Sequence, residues 1–167
     1  TPASLQSVLQ PKVAGAWILH QLSRELKLDF FVCFSSIASV WGSKGQAHYA
    51  AANHFLDLLA HYRRALGLPA LTVNWGPWAG GGMASPDAQT MLHRMGVTAL
   101  APARALDAFA CLLGSSHAQT AVADVDWSRF KELYEARARR PLLENIQTSS
   151  LEAARPPELK PPPIIEE

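Results

Sequence analysis

Long apolar runs, paired cysteines and an excess of charge are all missing from this sequence, and each absence excludes a class of protein. No apolar run approaches the roughly 18 residues that a membrane-spanning helix needs. Cys33 and Cys111 form no CxxC pair and no His/Cys cluster, so we expect buried thiols in a reducing compartment. The 15 basic and 14 acidic residues give a net charge of +1 without a basic stripe, which argues against nucleic-acid binding.

Two further absences concern binding sites. The histidines show no HExxH or HxH pairing, and no third ligand accompanies His54 and His61, so we predict no metal site. No GxGxxG motif lies between a strand and a helix, and Gly80-Gly81-Gly82 has the wrong spacing for a dinucleotide-binding loop. The N-terminal segment also lacks the basic and apolar regions of a secretion signal.

The apolar patterning predicts an α/β fold. Helix-spaced apolar residues mark the predicted helices, which are residues 5–26, 48–66, 86–95, 102–114 and 128–139. Solid apolar runs mark the predicted buried strands, which are residues 30–34, 70–75 and 120–125. Their alternation predicts a parallel sheet with helices on both faces. Residues 36–47 are predicted to be a loop, and the Pro-rich residues 147–167 a stiff inter-domain linker.

Polar residues after the first strand and on the following helix form the main candidate site. Ser36 precedes Tyr49 by 13 positions, and Asn53 follows Tyr49 by four. Ligands bind at the carboxyl ends of strands in a parallel sheet, so the hydroxyls of Ser36 and Tyr49 can converge there. One hydroxyl that orients a carbonyl oxygen and another that donates a proton to it are what a carbonyl reductase needs.

These residues closely resemble the ketoreductase domains of modular polyketide synthases, a branch of the short-chain dehydrogenase/reductases. The matching segments are PKVAGAW (11–17), FSSIASVWGSKGQAHYAAANHFLD (34–57), TVNWGPW (72–78), GGMA (81–84) and DVDW (124–127). An ordinary short-chain dehydrogenase carries YxxxK, whereas this family has asparagine in place of that lysine, as at Asn53. The family takes its lysine from the preceding helix, and Lys12 fits this position. The resemblance implies that residues 1–146 are the C-terminal half of a Rossmann-like fold.

The resemblance implies a role for each of four catalytic residues. Tyr49 would donate a proton to the substrate carbonyl oxygen as a hydride arrives from the nicotinamide of NADPH. Lys12 would lower the pKa of this phenol, ordinarily about 10, and would also bind the cofactor ribose. Ser36 would hold the carbonyl oxygen, and Asn53 would position Lys12 or a relay water.

The resemblance also implies contacts in the neighbouring loops. The cofactor would meet Ser35 and the segment Gly76, Pro77 and Trp78. Met83 would belong to a lid and touch both cofactor and substrate.

Trp41 and Gln46 are implied to contact the substrate. A tryptophan at the position of Trp41 is associated in this family with the L-configured alcohol. The alternatives are that Trp41 is a loop aromatic packed on the lid and that Gln46 is a solvated loop residue.

The implied reaction is NADPH-dependent reduction of a β-ketoacyl thioester to the β-hydroxyacyl thioester in a cytoplasmic synthase. The implied partners are an acyl carrier protein bearing a phosphopantetheine-linked chain, the N-terminal half of the domain and neighbouring synthase domains, with no nucleic acid, membrane or metal. The alternatives are a stand-alone reductase and a non-reducing structural or epimerising domain.

A short basic cluster follows the last predicted helix and consists of Arg137, Arg139 and Arg140. It forms either a solvated helix end or a contact with a carrier protein or neighbouring domain. Without the front strands, we expect an exposed apolar sheet edge.

Overall fold

The computed structural model describes residues 2–81 and 86–148 of the chain. Its helices are α1 (Pro2–Leu9), α2 (Gly15–Leu22), α3 (Ala38–Trp41), α4 (Ala47–Ala65), α5 (Pro86–Arg94), α6 (Pro102–Leu113) and α7 (Trp127–Tyr134). Its strands are β1 (Val32–Ser36), β2 (Leu71–Trp75), β3 (Val97–Thr98), β4 (Gln119–Val122) and β5 (Asp124–Val125). A π-helical turn, Gln10–Ala14, joins α1 to α2, and a 3-10 helix, Pro141–Leu143, follows α7. Met83 and residues 149–167 of the predicted linker lie outside the described residues.

A parallel sheet lies at the centre of the described chain. Its strand order is β1-β2-β4, with Ser36 opposite Trp75 and Trp75 opposite Val122. The connections run through α4 and α6, as expected of parallel strands joined by crossover helices. A separate antiparallel pair joins β3 to β5, with Val97 opposite Val125.

Strand β2 shows how the two faces of the sheet are used. Successive side chains of a strand point to opposite faces. Val73 and Trp75 pack in an apolar cluster with Ala105 of α6. Thr72 on the opposite face donates a hydrogen bond to Asp57 of α4 (3.1 Å). The prediction of a parallel sheet with helices on both faces is therefore confirmed.

Several predicted elements differ in extent from the structure. The helix predicted over residues 5–26 is interrupted where Pro11, which has no N–H to donate, lies in the π-helical turn. The loop predicted over residues 36–47 contains α3. The helix predicted to reach residue 139 ends at Tyr134, because the chain turns back so that the Arg140 amide donates to the Glu135 carboxylate (2.9 Å).

The cysteines and the sheet edge test two further predictions. Cys33 is buried, and burial raises the pKa of its thiol to about 11. Cys111 of α6 is exposed, so the prediction that both thiols are buried is wrong. Strand β1 lies at the edge of the described sheet, and Phe34 within it and Phe30 just before it are 49% and 62% exposed, which confirms the predicted apolar edge. Within residues 2–81 and 86–148, no helix is long and apolar enough to cross a bilayer.

Candidate active site

A cleft of about 1240 Å³ opens at the carboxyl ends of β1 and β2. Ser36, Tyr49 and Lys12 all line it, together with the segment that follows β2. The chain reaches Tyr49 from Ser36 through α3 and a turn that uses Gly42 and Gly45, whose positive φ values of 86° and 75° favour glycine. The cleft therefore brings together three of the four residues that the sequence predicts to be catalytic.

Lys12 enters the cleft from the π-helical turn. The amide of Gly15 donates to the carbonyl of Gln10, the wide i+5 bond of a π-helix, which is often found at functional sites. Lys12 Nζ donates to the Phe34 carbonyl (3.1 Å) and lies 5.9 Å from the centroid of the Tyr49 ring. Burial lowers the pKa of Lys12, and the nearby Cys33 and Asp57 act in the opposite direction.

Tyr49 and Ser36 face the cleft with different degrees of exposure. Tyr49 is half-buried in the first turn of α4, so its ring is accessible from the cleft. Ser36 is buried, and its Oγ accepts a hydrogen bond from the Ala38 amide (3.2 Å). Because that bond uses a lone pair of Oγ, the hydroxyl proton can be directed to a carbonyl oxygen in the cleft.

Asn53 lies one helical turn after Tyr49 and is fully buried. Its Nδ2 donates to the Tyr49 carbonyl (2.8 Å). Its Oδ1 is buried and meets no hydrogen-bond donor within the described chain. An unpaired buried acceptor costs about 1–3 kcal/mol, so this oxygen fits a water or an ammonium donor. Its predicted role, to position Lys12 or a relay water, stays a prediction.

A buried polar cluster lies between α4 and the sheet, and sequence reasoning missed it. We call it the Asp57 network; its members are Ser35, Ser39, Asp57, Thr72 and Asn74. The Asp57 carboxylate accepts hydrogen bonds from Ser39 Oγ (2.7 Å), Thr72 Oγ1 (3.1 Å) and Asn74 Nδ2 (2.9 Å). A signal was present, since Thr72 and Asn74 are polar residues within an otherwise solid apolar strand.

The Asp57 network reaches the catalytic residues through the backbone. Ser39 Oγ also lies 2.7 Å from the Ser36 carbonyl oxygen, and Ser35 Oγ donates to the Asn53 carbonyl (3.2 Å). Asn74 Nδ2 in turn donates to Ser35 Oγ (3.1 Å). The network therefore ties the end of β1 to α4. Ser35 borders the cleft, but its hydroxyl is engaged with α4, and its predicted contact with a cofactor stays a prediction.

The segment after β2 forms one wall of the cleft. Gly76, Pro77 and Trp78 all line it, and the Trp78 ring meets the Trp75 ring edge-on at 5.1 Å. A Cβ atom at Gly76 would lie 3.1 Å from the Cβ of Ala123, so a larger residue there would press on the chain after β4. This wall and the ammonium of Lys12 suit the nicotinamide and ribose of a dinucleotide, so the residues present fit that part of the implied cofactor.

Trp41 and Gln46 lie on the loop side of the cleft. The Trp41 ring contacts Phe130 of α7 (4.9 Å between centroids), and its carbonyl accepts a hydrogen bond from the Tyr134 hydroxyl (2.6 Å). Gln46 is exposed and accepts a hydrogen bond from Ser43 Oγ (3.0 Å). Both residues line the cleft, and their predicted contacts with substrate stay predictions.

Several residues that line the cleft were not predicted from the sequence. They include Val8, Lys44, His48, Ala88, Met91, Leu92, Met95, Tyr134 and Arg140. Ala88, Met91 and Leu92 follow helical spacing along α5, which could have identified that face. Of the residues described, no three His, Cys, Asp or Glu side chains are grouped so as to hold a metal ion.

Comparisons with known proteins agree with this geometry. Residues 1–80 match the family model described as the KR domain. Polyketide synthase GfsA of Streptomyces halstedii is 47% identical over 150 residues, which are 87% of this chain and 2% of that protein. Erythronolide synthase EryA3 of Saccharopolyspora erythraea is 43% identical over 149 residues, 89% of this chain and 5% of that protein.

Solved structures give the same result. An A1-type ketoreductase matches with a TM-score of 0.84 at 41% identity, covering 87% of this chain and 31% of that chain. The first ketoreductase of the tylosin synthase matches with a TM-score of 0.78 at 46% identity, covering 83% of this chain and 31% of that chain.

A Rossmann-like sheet with these side chains at its carboxyl edge is the architecture of a short-chain reductase. The chain belongs to the ketoreductase domains of modular type I polyketide synthases. It spans 31% of each of these two ketoreductase chains and 2% and 5% of the two synthases.

Proposed function

We propose that this chain supplies the catalytic residues of a ketoreductase domain that reduces a carrier-bound β-ketoacyl thioester to the β-hydroxyacyl thioester with NADPH. The observation that carries the proposal is the presence of Ser36, Tyr49 and Lys12 in one cleft at the carboxyl edge of the sheet. Membership of the ketoreductase family supports it.

The reaction needs a proton at the carbonyl oxygen and a hydride at the carbonyl carbon. Bound NADPH supplies the hydride. Tyr49 donates its phenolic proton to the oxygen, and Ser36 donates a hydrogen bond to the same oxygen, which stabilises the charge that develops there. The ammonium of Lys12, 5.9 Å from the centre of the Tyr49 ring, favours the phenolate that remains.

The chain's own residues suit one end of the cofactor. Lys12 would donate to the ribose hydroxyls, and Gly76, Pro77 and Trp78 would border the nicotinamide. We propose that Met83, which lies outside the described residues, contacts the cofactor and the substrate. The pyrophosphate would bind to the N-terminal half of the domain, which we propose packs against the exposed apolar edge at Phe30 and Phe34.

The open side of the cleft suits an acyl chain. Met91 and Leu92 of α5 present apolar side chains there, next to Trp41 and Gln46. We propose that the acyl group lies along this side, that the carrier protein delivers it, and that Trp41 favours the L-configured alcohol.

The proposal is tested by replacing the proton donor in the complete ketoreductase domain. We expect Tyr49→Phe to lower turnover of a β-ketoacyl thioester by roughly 10²–10⁴-fold, because the phenyl ring has no proton to give. NADPH oxidation measures the rate, and fluorescence titration checks that NADPH still binds. The matched control is Tyr62→Phe, which alters an exposed tyrosine on the same helix and should leave the rate unchanged. Full turnover by the Tyr49→Phe domain would refute the assignment, and NADPH binding without turnover in the wild type would favour the non-reducing alternative.

A further inference from the structure

We propose that Arg140 forms an anion-binding site at the cleft. This site binds the phosphodiester of the phosphopantetheine arm that carries the substrate. This inference rests on the proposed function, because that function supplies the arm. It assigns one arginine of the basic cluster after α7 to substrate binding.

The charge of the cleft is the first observation. The described residues that line it include Lys12, Lys44 and Arg140 but no aspartate or glutamate. This imbalance is local, since the whole chain has a net charge of only +1. Lys12 is half-buried beside Tyr49, whereas Lys44 and Arg140 are exposed. The cleft is therefore suited to an anionic ligand whose charged group stays near solvent.

Arg140 is held in place from both ends, which is the second observation. Its backbone amide donates to the Glu135 carboxylate (2.9 Å), and its guanidinium carbon lies 5.6 Å from the centroid of the Tyr134 ring. The Tyr134 hydroxyl donates to the Trp41 carbonyl (2.6 Å), and its ring stacks on Phe130 at 5.2 Å. A guanidinium that rests on an anchored ring loses less freedom when it binds a ligand.

The guanidinium of Arg140 is also available for a ligand. Arg139, its neighbour, forms an ion pair with Glu144 (2.9 Å) and does not line the cleft. Among the described residues, no carboxylate pairs with the side chain of Arg140, and its contact with Tyr134 at 5.6 Å occupies none of its N–H groups with a hydrogen bond. This planar fork of N–H groups matches two phosphate oxygens.

The proposed substrate provides a phosphate. When its ketone is bound by Tyr49 and Ser36, the rest of the phosphopantetheine arm must extend out of the cleft, and its phosphodiester must remain hydrated or meet a cation. NADPH also carries phosphates, so the experiment has to separate these two sources of the same chemistry.

The experiment compares two substrates in the complete ketoreductase domain. One is a β-ketoacyl thioester of phosphopantetheine, and the other is the same acyl group on N-acetylcysteamine, which has no phosphate. We expect Arg140→Ala to lower the ratio of their kcat/KM values about tenfold, as for the loss of one charge-assisted hydrogen bond near solvent. Arg140→Lys should restore part of that ratio. The matched control, Arg139→Ala, should leave it unchanged.

A binding measurement gives a second readout. Calorimetric titration with phosphopantetheine and with pantetheine should show that the wild type prefers the phosphorylated compound and that Arg140→Ala lacks this preference. Equal losses on both substrates, or an unchanged ratio, would overturn the inference while the proposed function stands. A raised KM for NADPH with an unchanged ratio would assign Arg140 to the cofactor and overturn it as well. A wild-type domain that reduces neither substrate would overturn the proposed function itself.

Discussion

The two sides of the cleft are built in different ways. On the side of the sheet and α4, Asn53, Asp57 and Asn74 are each at most 1% exposed, and hydrogen bonds connect them to the strand end that carries Ser36. We call this the buried side. On the open side, formed by residues 41–46, α5 and the chain after α7, Gln46 and Arg140 are exposed and Met91 is 49% exposed.

The difference follows from what each side has to do. The rate of proton transfer is sensitive to small changes in the distance between donor and acceptor. The groups that perform it therefore need neighbours that cannot shift. An acyl chain is bound by apolar area, which tolerates changes of position and shape. The comparison predicts that substitutions on the buried side change stability and rate together, whereas those on the open side change substrate affinity alone.

The largest effect outside the catalytic residues is expected at Asp57. In Asp57→Asn, an amide N–H2 replaces one carboxylate oxygen and confronts donors from Ser39, Thr72 or Asn74. We expect the free energy of unfolding of the complete domain to fall by about 2–3 kcal/mol, because hydrogen bonds to a buried charged acceptor are lost. Turnover should fall as well, since Ser39 also contacts the Ser36 carbonyl.

Urea denaturation and a turnover assay at a temperature where the variant is folded measure the two effects. Asp107→Asn is the matched control, because Asp107 lies exposed on α6. A loss of less than about 0.5 kcal/mol in Asp57→Asn would show that the network does not hold the buried side, and the comparison between the two sides would then fail.

The residues of the cleft could be predicted from sequence where a local pattern placed them. Ser36 ends an apolar strand and Tyr49 begins an Ala-rich helix, so the strand-end rule for parallel sheets was enough to bring them together. Asp57 and Asn74 are 17 residues apart, and their contact depends on which faces of α4 and β2 meet. No local periodicity reports that pairing, so the polar residues of β2 could be noticed in the sequence, but their grouping with Asp57 could not be predicted.

The fold shows the same division between local and long-range information. The long elements α4 and β2 were predicted within one or two residues, because a helical repeat or a solid apolar run defines each of them. Strand β3, of two residues, was not predicted, and the strand predicted over residues 120–125 divides into β4 and β5, because β5 pairs with β3 instead of continuing the parallel sheet. Arg140 enters the cleft because the chain turns back after Tyr134, and no nearby residue type required that turn.

A smaller effect is expected on the open side. Met91→Ser removes apolar area from α5 where it lines the cleft. We expect KM for the acyl substrate to rise about threefold, and the stability to change by less than about 0.5 kcal/mol, because Met91 is 49% exposed. Steady-state kinetics and urea denaturation of the complete domain test this. Leu133→Ser is the matched control, since Leu133 is also 49% exposed but does not line the cleft. A stability loss as large as that of Asp57→Asn would contradict the distinction between the two sides.

A pH-dependent effect extends the comparison to the far end of α4. His20 is 1% exposed, and its Nδ1 lies 3.1 Å from a guanidinium nitrogen of Arg63, so this ring nitrogen must be an unprotonated acceptor. Burial, followed by the charges of Arg63 and Arg24, lowers the pKa of His20 below its ordinary value of 6.5. The unfolded chain therefore binds a proton more readily than the folded one once the pH falls below 6.5, and the contribution of His20 to stability, complete above that pH, is lost as the pH falls towards the lowered pKa.

We expect the melting temperature of the complete domain to decrease between pH 6.5 and 5. The free energy of unfolding should fall over this range, and His20 should contribute at most about 1.4 kcal/mol per pH unit to that fall. His20→Asn keeps an acceptor near Arg63 but does not titrate, so its melting temperature should vary less over this range. His61→Asn, at an exposed position of the same helix as Arg63, should keep the wild-type slope. If the melting temperatures of His20→Asn and the wild type depend equally on pH, His20 is not held neutral. His20 Nδ1 is then not the acceptor of the Arg63 guanidinium in the folded protein. Fixed polar contacts of α4 would then be confined to the Asp57 network, because the surroundings of Arg63 at the other end of this helix would tolerate a second positive charge.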